Sequence, residues 1–242
     1  MSYLRSKPIE FGTYWRVSTS SGENQKVESS KTLKAKVPVG GRLKRGVDFI
    51  LALSALIVCS PVLAVLAAIV RIASPGPVFY RHWRIGLNGE PFKCTKFRTM
   101  HVDADAHLKM HLAMDPAAAE EFRVFRKLKK DPRVVPVVGT VLRRWSLDEL
   151  PQLLDVLRGR MSLVGPRPVT REELERYATV QFQYIQTRPG ITGLWQVSGR
   201  NALSFQERVA IDRFYIENWS FLSDLSIMAR TVTVLITGRG AC

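Results

Sequence analysis

A mostly helical α+β fold, held to a membrane by a re-entrant helical hairpin and carrying one small β-hairpin, is predicted by three features of the sequence. Residues 49–70 carry no charged side chain, long enough for a membrane helix of about 20 residues. Two short β-type runs, 78–85 and 91–99, meet at Asn88-Gly89, a strong hairpin-turn signal. Further along, apolar residues recur at helical spacing in several segments of moderate length.

Residues 1–40 are polar, serine-rich and unpatterned, and read as a disordered cytoplasmic tail. They are not a secretory signal, since the first apolar run begins too late and lacks a small-residue cleavage pattern. Residues 41–73 read as the membrane anchor. Ser60 and Pro61 fall in the middle of its apolar run, where proline disrupts a helix and serine can satisfy freed backbone groups. Both flanks are basic, with Arg42, Lys44 and Arg45 before and Arg71, Arg81 and Arg84 after, so both ends are expected on the cytoplasmic side. A helix–break–helix hairpin satisfies both observations: each arm of about 12 residues rises about 18 Å, half of a bilayer core of roughly 30 Å. The competing arrangement is a kinked helix that spans the bilayer.

Residues 74–242 form the expected cytoplasmic catalytic domain at the membrane interface. A turn at 74–77 leads to the β-hairpin, whose second strand brings Lys93, Lys96 and Arg98 into one basic run suited to phosphate or to solvent. Asp103 can cap a helix running to about residue 112; His107 and His111 share a face of it, more in keeping with a surface pair than a metal site because no third ligand is near. Pro116 opens an amphipathic helix to residue 130. Phe122, Val124, Phe125 and Leu128 are its apolar residues, and Arg123, Arg126, Lys127, Lys129 and Lys130 its basic ones, a pattern for an interfacial helix or for one packed on the core. Residues 131–144 lead into the next motif, with Val134, Val135, Val137 and Val138 giving extended character around Pro136 and Arg143 and Arg144 at their end.

Residues 146–168, SLDELPQLLDVLRGRMSLVGPRP, concentrate acid, base and backbone punctuation. Ser146 and Glu149 have capping-box spacing, so a helix is expected from Leu147 with Asp148 and Glu149 in its first turn, where the helix dipole favours carboxylates. Pro151 should distort that turn, Gly159 should stop the helix, and Gly165, Pro166 and Pro168 should stiffen the backbone around Arg167, a donor fork suited to phosphate. Residues 171–185 read as a helix and 187–200 as a rigid loop with Arg188, Arg200 and Asn201 as polar contacts. Helices are expected again over 205–219 and 222–236, the last ending at Gly238 and Gly240.

The chain has 36 Lys and Arg against 21 Asp and Glu, a formal charge of +15, so its partners are anionic. Charge alone does not choose among nucleic acid, an anionic leaflet and phosphorylated substrates. Cys59, Cys94 and Cys242 are odd in number and widely spaced, which fits free thiols in a reducing compartment.

Four strings together identify a resemblance: KFRTM at 96–100, the stretch 146–168, RPGITGLWQVSGRN at 188–201 and YIENWS at 215–220. They resemble the bacterial sugar transferases, the monotopic phosphoglycosyl transferases that move a sugar phosphate onto a polyprenyl phosphate, over roughly residues 42–242. The resemblance implies a re-entrant anchor broken at Ser60-Pro61, on the cytoplasmic face of the bacterial inner membrane, and a role in the first membrane step of exopolysaccharide biosynthesis. It implies a UDP-sugar donor, polyprenyl (undecaprenyl) phosphate as acceptor, Mg²⁺ near Asp148 and Glu149, and release of UMP. Asp148 is the implied nucleophile, forming an aspartyl phosphosugar, and Glu149 its partner for metal or proton.

Lys96, Arg98, Arg144, Arg167, Arg188 and Arg200 are the expected substrate-binding residues. Anionic lipids are expected partners, nucleic acid is not, and a homodimer is compatible. The sugar is weakly indicated as galactose or glucose phosphate. One departure stands out: Arg160 occupies a position that is usually acidic in the family. A basic, membrane-anchored binding protein without chemistry remains the rival reading, as does direct transfer without a covalent intermediate.

Overall fold

The computed structural model describes residues 38–125, 128, 130–199 and 203–237. Residues 1–37 of the expected tail, Arg126, Lys127 and Lys129, Arg200 and Asn201, and Gly238 and Gly240 lie outside the described residues.

The apolar run forms one helix, α1, Gly41–Ala73, continuous through Ser60 and Pro61. The expected break is therefore absent as a gap in helical structure. Pro61 cannot donate to the Ile57 carbonyl four residues back, and the Ser60 hydroxyl donates to that carbonyl instead, at 2.8 Å. Along α1, residues 44, 48, 52, 55, 56, 59, 63, 66, 67 and 70 are buried or half-buried and form a stripe at helical spacing, with 41, 45 and 47 half-buried beside its start. The first half of the stripe packs with Ala52, Ala55 and Leu56 on Phe92, Cys94, Leu153 and Val156. The second half, Leu63, Leu66, Ala67 and Val70, packs on Phe97 and Leu142. Away from the stripe the helix presents Leu43, Ile50, Ile57, Val58, Val65 and Ile72, each more than half exposed.

The hairpin follows as expected. Strands β1, Phe79–Ile85, and β2, Pro91–Phe97, pair antiparallel from Phe79↔Phe97 to Ile85↔Pro91. Asn88 and Gly89, at φ 58° and 77°, make the turn. Helix α2, Ala104–Met114, and α3, Pro116–Phe125, come next; α3 stops short of the expected residue 130, and Leu128 is buried outside any helix. Val138, expected to end an extended stretch, instead opens helix α4, Val138–Arg144. The valines there pack Val138 and Leu142 against the second half of α1, so tertiary burial overrides β propensity.

After a 3₁₀ turn at Leu147–Gln152 come α5, Leu153–Leu157, and β3, Ser162–Val164. The helix expected over 171–185 is divided into α6, Arg171–Glu175, a 3₁₀ turn at Ala178–Val180, and α7, Gln181–Ile185, with Ala178 at φ 48° between them. The expected loop at 187–200 contains β4, Gly190–Thr192, and α8, Leu194–Ser198. Helices α9, Phe205–Glu217, and α10, Phe221–Thr237, match expectation to within a few residues.

β3 and β4 pair in parallel, Ser162↔Gly190 and Val164↔Thr192. Their approach is close enough to require glycine: a Cβ at Gly190 would stand 2.1 Å from the Gly165 nitrogen, and one at Gly165 would stand 2.5 Å from the Arg188 carbonyl oxygen. The described residues of α1 through α10 lie within one compact unit, with the anchor helix built into it.

Three buried or half-buried contacts fasten α1 to that unit. Lys44 pairs with Asp224 of α10 at 2.5 Å, and Asp224 also accepts from the Tyr215 hydroxyl at 2.8 Å and the Trp219 indole at 3.0 Å. Arg45 donates to the last carbonyls of α5, Val156 and Leu157, at 2.6 and 3.0 Å. Asp48 accepts from the Ser162 hydroxyl at 2.7 Å and from the Leu163 amide at 3.1 Å. Removing Lys44 leaves a buried charge on Asp224, a change of about 3–5 kcal/mol. Lys44→Met is therefore expected to lower stability by about that amount and Lys44→Met/Asp224→Asn to recover most of it, read from denaturant unfolding in detergent micelles.

Candidate active site

The 147–152 turn shows why the acid pair sits where it does. An α-helix starting at Leu147 would need an amide at residue 151, and Pro151 has none, so the segment winds as a 3₁₀ helix instead. The expected capping box does not form: Ser146 is left-handed, at φ 53°, with no side-chain cap, and only the Glu149 amide reaches back to the Ser146 carbonyl, at 3.1 Å. The Glu149 carboxylate turns away from its own helix end to pair with Lys96 Nζ of β2. Arg167 Nη1 stands 3.9 Å from the same oxygen. The spacing S-x-x-E does cap elsewhere, at Thr170/Glu173 and Ser204/Glu207, where no proline intervenes.

Arg167 is held by the backbone on either side of it. The Gly190 amide donates to the Pro166 carbonyl at 2.8 Å. The Tyr184 hydroxyl lies 3.1 Å from the Arg167 carbonyl and accepts from the Val169 amide at 3.1 Å. The Ile85 amide in turn donates to the Val169 carbonyl at 2.9 Å, tying the loop to β1. Lys96, Glu149 and Arg167, far apart in sequence, thus line one small cleft with Arg84, Cys94 and Gln152. Arg84 is paired with Glu173 at 3.0 Å. Cys94 is not a nucleophile at neutral pH, because burial pushes its thiol up to about 11.

Asp148 is 8% exposed. No hydrogen bond from another side chain reaches its carboxylate among the described residues. Burial pushes its carboxyl up to about 6; Lys96 and Arg143 pull it down and the neighbouring Glu149 adds to the rise. Arg143 is itself oriented by a bond from its Nε to Thr99 Oγ1, at 2.9 Å. Asp148 is thus a partly desolvated carboxylate set between cations, which near neutral pH is ionised and weakly solvated.

The remaining expected site residues are distributed differently. Arg144 is exposed next to the acid pair, its guanidinium 5.9 Å from the centre of the Trp145 ring. Arg98 is buried and donates to the Ser74 and Pro75 carbonyls, so it fastens the turn between α1 and β1. Arg188 donates through Nε to the Gly159 carbonyl at 2.9 Å, and burial lowers its guanidinium's proton affinity. Arg200 lies outside the described residues.

Arg160 stands with Arg158 around Asp155, at 3.8 and 3.6 Å from its Oδ1. Asp155 is fully buried and its Oδ2 accepts from the Thr95 amide at 3.0 Å, one residue before Lys96. Sequence reasoning missed this positioning contact, although a lone acid in the apolar run LLDVL was the available signal.

Because the folded protein binds the Asp148 proton more tightly than an unfolded chain with a value near 3.8, this group supports folding fully only below that value. Its contribution disappears as pH rises from about 4 through about 6. Asp148→Asn is therefore expected to raise stability at pH 7.5 by up to about 3 kcal/mol and to have no such effect near pH 3.5, as measured by denaturant unfolding at the two pH values.

A family model described as bacterial sugar transferase matches residues 39–238. The chain is 50% identical to the exopolysaccharide production protein ExoY of Sinorhizobium fredii over 204 residues, 84% of this chain and 90% of that protein. It is 40% identical to the UDP-glucose:undecaprenyl-phosphate glucose-1-phosphate transferase of Caulobacter vibrioides, over 82% of this chain and 71% of that protein. It is 45% identical to the undecaprenyl-phosphate galactose phosphotransferase of Salmonella typhimurium, over 82% of this chain but 41% of that longer protein. With the match running from the start of α1 to the end of α10, the chain belongs to the bacterial sugar transferase family.

Proposed function

We propose that this protein transfers a hexose 1-phosphate from a UDP-sugar to polyprenyl phosphate at the cytoplasmic face of the bacterial inner membrane, in the first membrane step of exopolysaccharide synthesis. The observation that carries this reading is Asp148, a partly desolvated carboxylate with no side-chain donor among the described residues, set beside Lys96, Arg143 and the Glu149–Arg167 pair. The names of the similar proteins supply the substrate classes: UDP-glucose and undecaprenyl phosphate for one, galactose phosphate transfer for another. Galactose and glucose are accordingly the first sugars to test.

In this reading an Asp148 carboxylate oxygen attacks the sugar-bearing phosphorus of the donor. The bond from that phosphorus to the bridging oxygen breaks, and UMP departs with that oxygen. An oxygen of polyprenyl phosphate then attacks the same phosphorus and displaces the Asp148 carboxylate, leaving a lipid-linked diphosphosugar. Lys96, Arg143 and Arg167 hold the diphosphate and oppose the charge that develops on the departing UMP. Glu149 keeps Lys96 and Arg167 in place. Two adjacent carboxylates fit Mg²⁺, which takes one or two protein carboxylates together with substrate phosphates, so Asp148 and Glu149 would hold it; no larger group of potential ligands occurs among the described residues. When bound, the ion neutralises phosphate charge.

The anchor fits this chemistry. A lipid phosphate lies at the headgroup plane, so the nucleophile has to be kept there. Because both halves of α1 pack on the same body as Asp148, one stripe inward and apolar side chains outward, we read α1 as a monotopic anchor that enters one leaflet and leaves both ends on the cytoplasmic side.

Incubation of the purified chain with a panel of UDP-sugars and Mg²⁺ tests the chemistry. The expected result is a stoichiometric burst of UMP without acceptor and continuous release with polyprenyl phosphate. Asp148→Asn should abolish both, Glu149→Gln should slow turnover by about 10²-fold or more, and the rate should rise with pH through about 6 as Asp148 ionises. A normal UMP burst from the Asn variant overturns the nucleophile assignment. The anchor is tested separately: a cysteine placed at Lys36 should react with an impermeant thiol reagent from the same side of sealed vesicles as the catalytic domain, and reaction only from the opposite side overturns the monotopic reading.

A further inference from the structure

We infer that the outward face of α4 is the track on which the isoprenoid chain of the acceptor lipid phosphate lies as its phosphate approaches Asp148; this rests on the proposed transfer to polyprenyl phosphate. Val137, Val141 and Trp145, at the N-cap, the middle and the C-cap of this short helix, stand four residues apart and are 74%, 46% and 38% exposed. Spacing of that kind puts them in one row, about 12 Å long at 1.5 Å per residue. Such a row is long enough for the head-proximal part of a polyisoprenyl chain and has no partner among the described residues on its outer side.

What occupies the row is argued from its two ends and its charge. On the adjoining face of α4, Val138 and Leu142 are seated on Leu63, Leu66, Ala67 and Val70 of α1, so the row runs alongside the helix proposed to meet lipid. It ends at Trp145, three residues before Asp148. Two arginines lie at that end: Arg144 is exposed beside Trp145, and Arg143 acts on the Asp148 carboxylate. An apolar row with positive charge at one end matches an amphiphile with a long apolar chain and an anionic head. A phospholipid shares that chemistry, but the head position here coincides with the proposed nucleophile.

The other side of the acid pair has a different character. The cleft containing Glu149 is bounded by Arg84, Lys96 and Arg167 and does not include Asp148 or any residue of α4. That polar, cationic cleft suits the nucleoside diphosphate part of a water-soluble donor.

Two measurements on the full chain in nanodiscs test the track. In the first, Val141 is replaced by the photoreactive residue benzoylphenylalanine and irradiated with undecaprenyl phosphate at about one part in a hundred of the phospholipid, with adducts identified by mass spectrometry. Adducts to undecaprenyl phosphate in clear excess over its share of the lipid support the track. Adducts in proportion to the bulk phospholipid mean that the row is ordinary membrane-embedding surface, and adducts between two chains mean that it is a self-association face; either overturns it. This arm needs no turnover, so it stands even if the proposed reaction fails. In the second, Val137→Ser/Val141→Ser is compared with the unaltered chain for its preference for undecaprenyl phosphate over dimethylallyl phosphate, which carries the same head on one isoprene unit. The expected change is a fall of at least tenfold in the ratio of kcat/KM values, through KM for the long acceptor. An unchanged ratio overturns the track, whereas absence of a UMP burst in the unaltered chain refutes the proposed function instead.

Discussion

The structure depends on how it satisfies buried carboxylates. Five aspartates are buried among the described residues: Asp48, Asp148, Asp155, Asp212 and Asp224. An ionised carboxylate withdrawn from water is sustained only by donors or cations. Asp224 has a lysine, a tyrosine and an indole. Asp48 has a hydroxyl and an amide from β3. Asp155 has the Thr95 amide and two arginines at longer range. Asp212 has the Tyr177 hydroxyl at 2.9 Å and the field of Arg167, and burial still pushes its carboxyl up to about 7. Asp148 alone among them lacks a bond from another residue's side chain or amide among the described residues, and its compensation is the field of Lys96 and Arg143 together with its own backbone amide. The other four are structural joints. The difference in partners, not in residue type or depth, separates the carboxylate free to form a bond from those already engaged.

Those joints also explain how an apolar helix can belong to an enzyme rather than merely tether it. Lys44, Arg45 and Asp48 occupy the first two turns of α1, and each is fixed to a different element: α10, the end of α5, and β3. β3 runs directly into the Gly165–Pro168 segment that carries Arg167, and β2, which packs on the middle of α1 through Phe92 and Cys94, carries Lys96. A shift of the anchor is therefore transmitted to both cations that embrace Glu149. That rigidity holds Lys96, Arg167 and the Glu149 carboxylate between them in a fixed position relative to α1.

Much of this was legible in the sequence, for identifiable reasons. The β-hairpin was, because Asn88-Gly89 has few alternative conformations. Helices α9 and α10 were, because helical period ran unbroken through each. Lys96, Asp148, Glu149 and Arg167 were chosen from motifs and converge in space. What was not legible depended on tertiary contacts. α4 is valine-rich and reads as extended until Val138 and Leu142 find the anchor to pack on. The capping box at Ser146 has the right letters, but Glu149 finds better partners in Lys96 and Arg167, which lie far away in sequence. β3 and β4 are three residues each, and no periodicity is visible at that length; only the glycine contacts at 165 and 190 reveal why the two motifs must meet. Pro61 reads as a break because its lost hydrogen bond is visible in sequence; the serine beside it reads as able to satisfy a freed group, but only the fold shows that this keeps the helix continuous. Arg98 looked like a phosphate ligand because a charge run does not disclose which of its members turns inward.

Arg160 shows how a departure from a family pattern is understood through its partner rather than its position. Taken singly, a cation where an acid is usual looks like damage to a metal or substrate site. In the fold it borders Asp155 together with Arg158, and nothing places it in the cleft that holds Glu149. Asp155 is fully buried with one oxygen lacking a hydrogen bond, a state that an acid at residue 160 would worsen and a base relieves. Since Asp155 also holds the Thr95 amide beside Lys96, the cation at residue 160 supports the strand that delivers Lys96 to Glu149. The departure is one half of a charge arrangement whose other half is the buried aspartate, and its effect on the active site is exerted through β2.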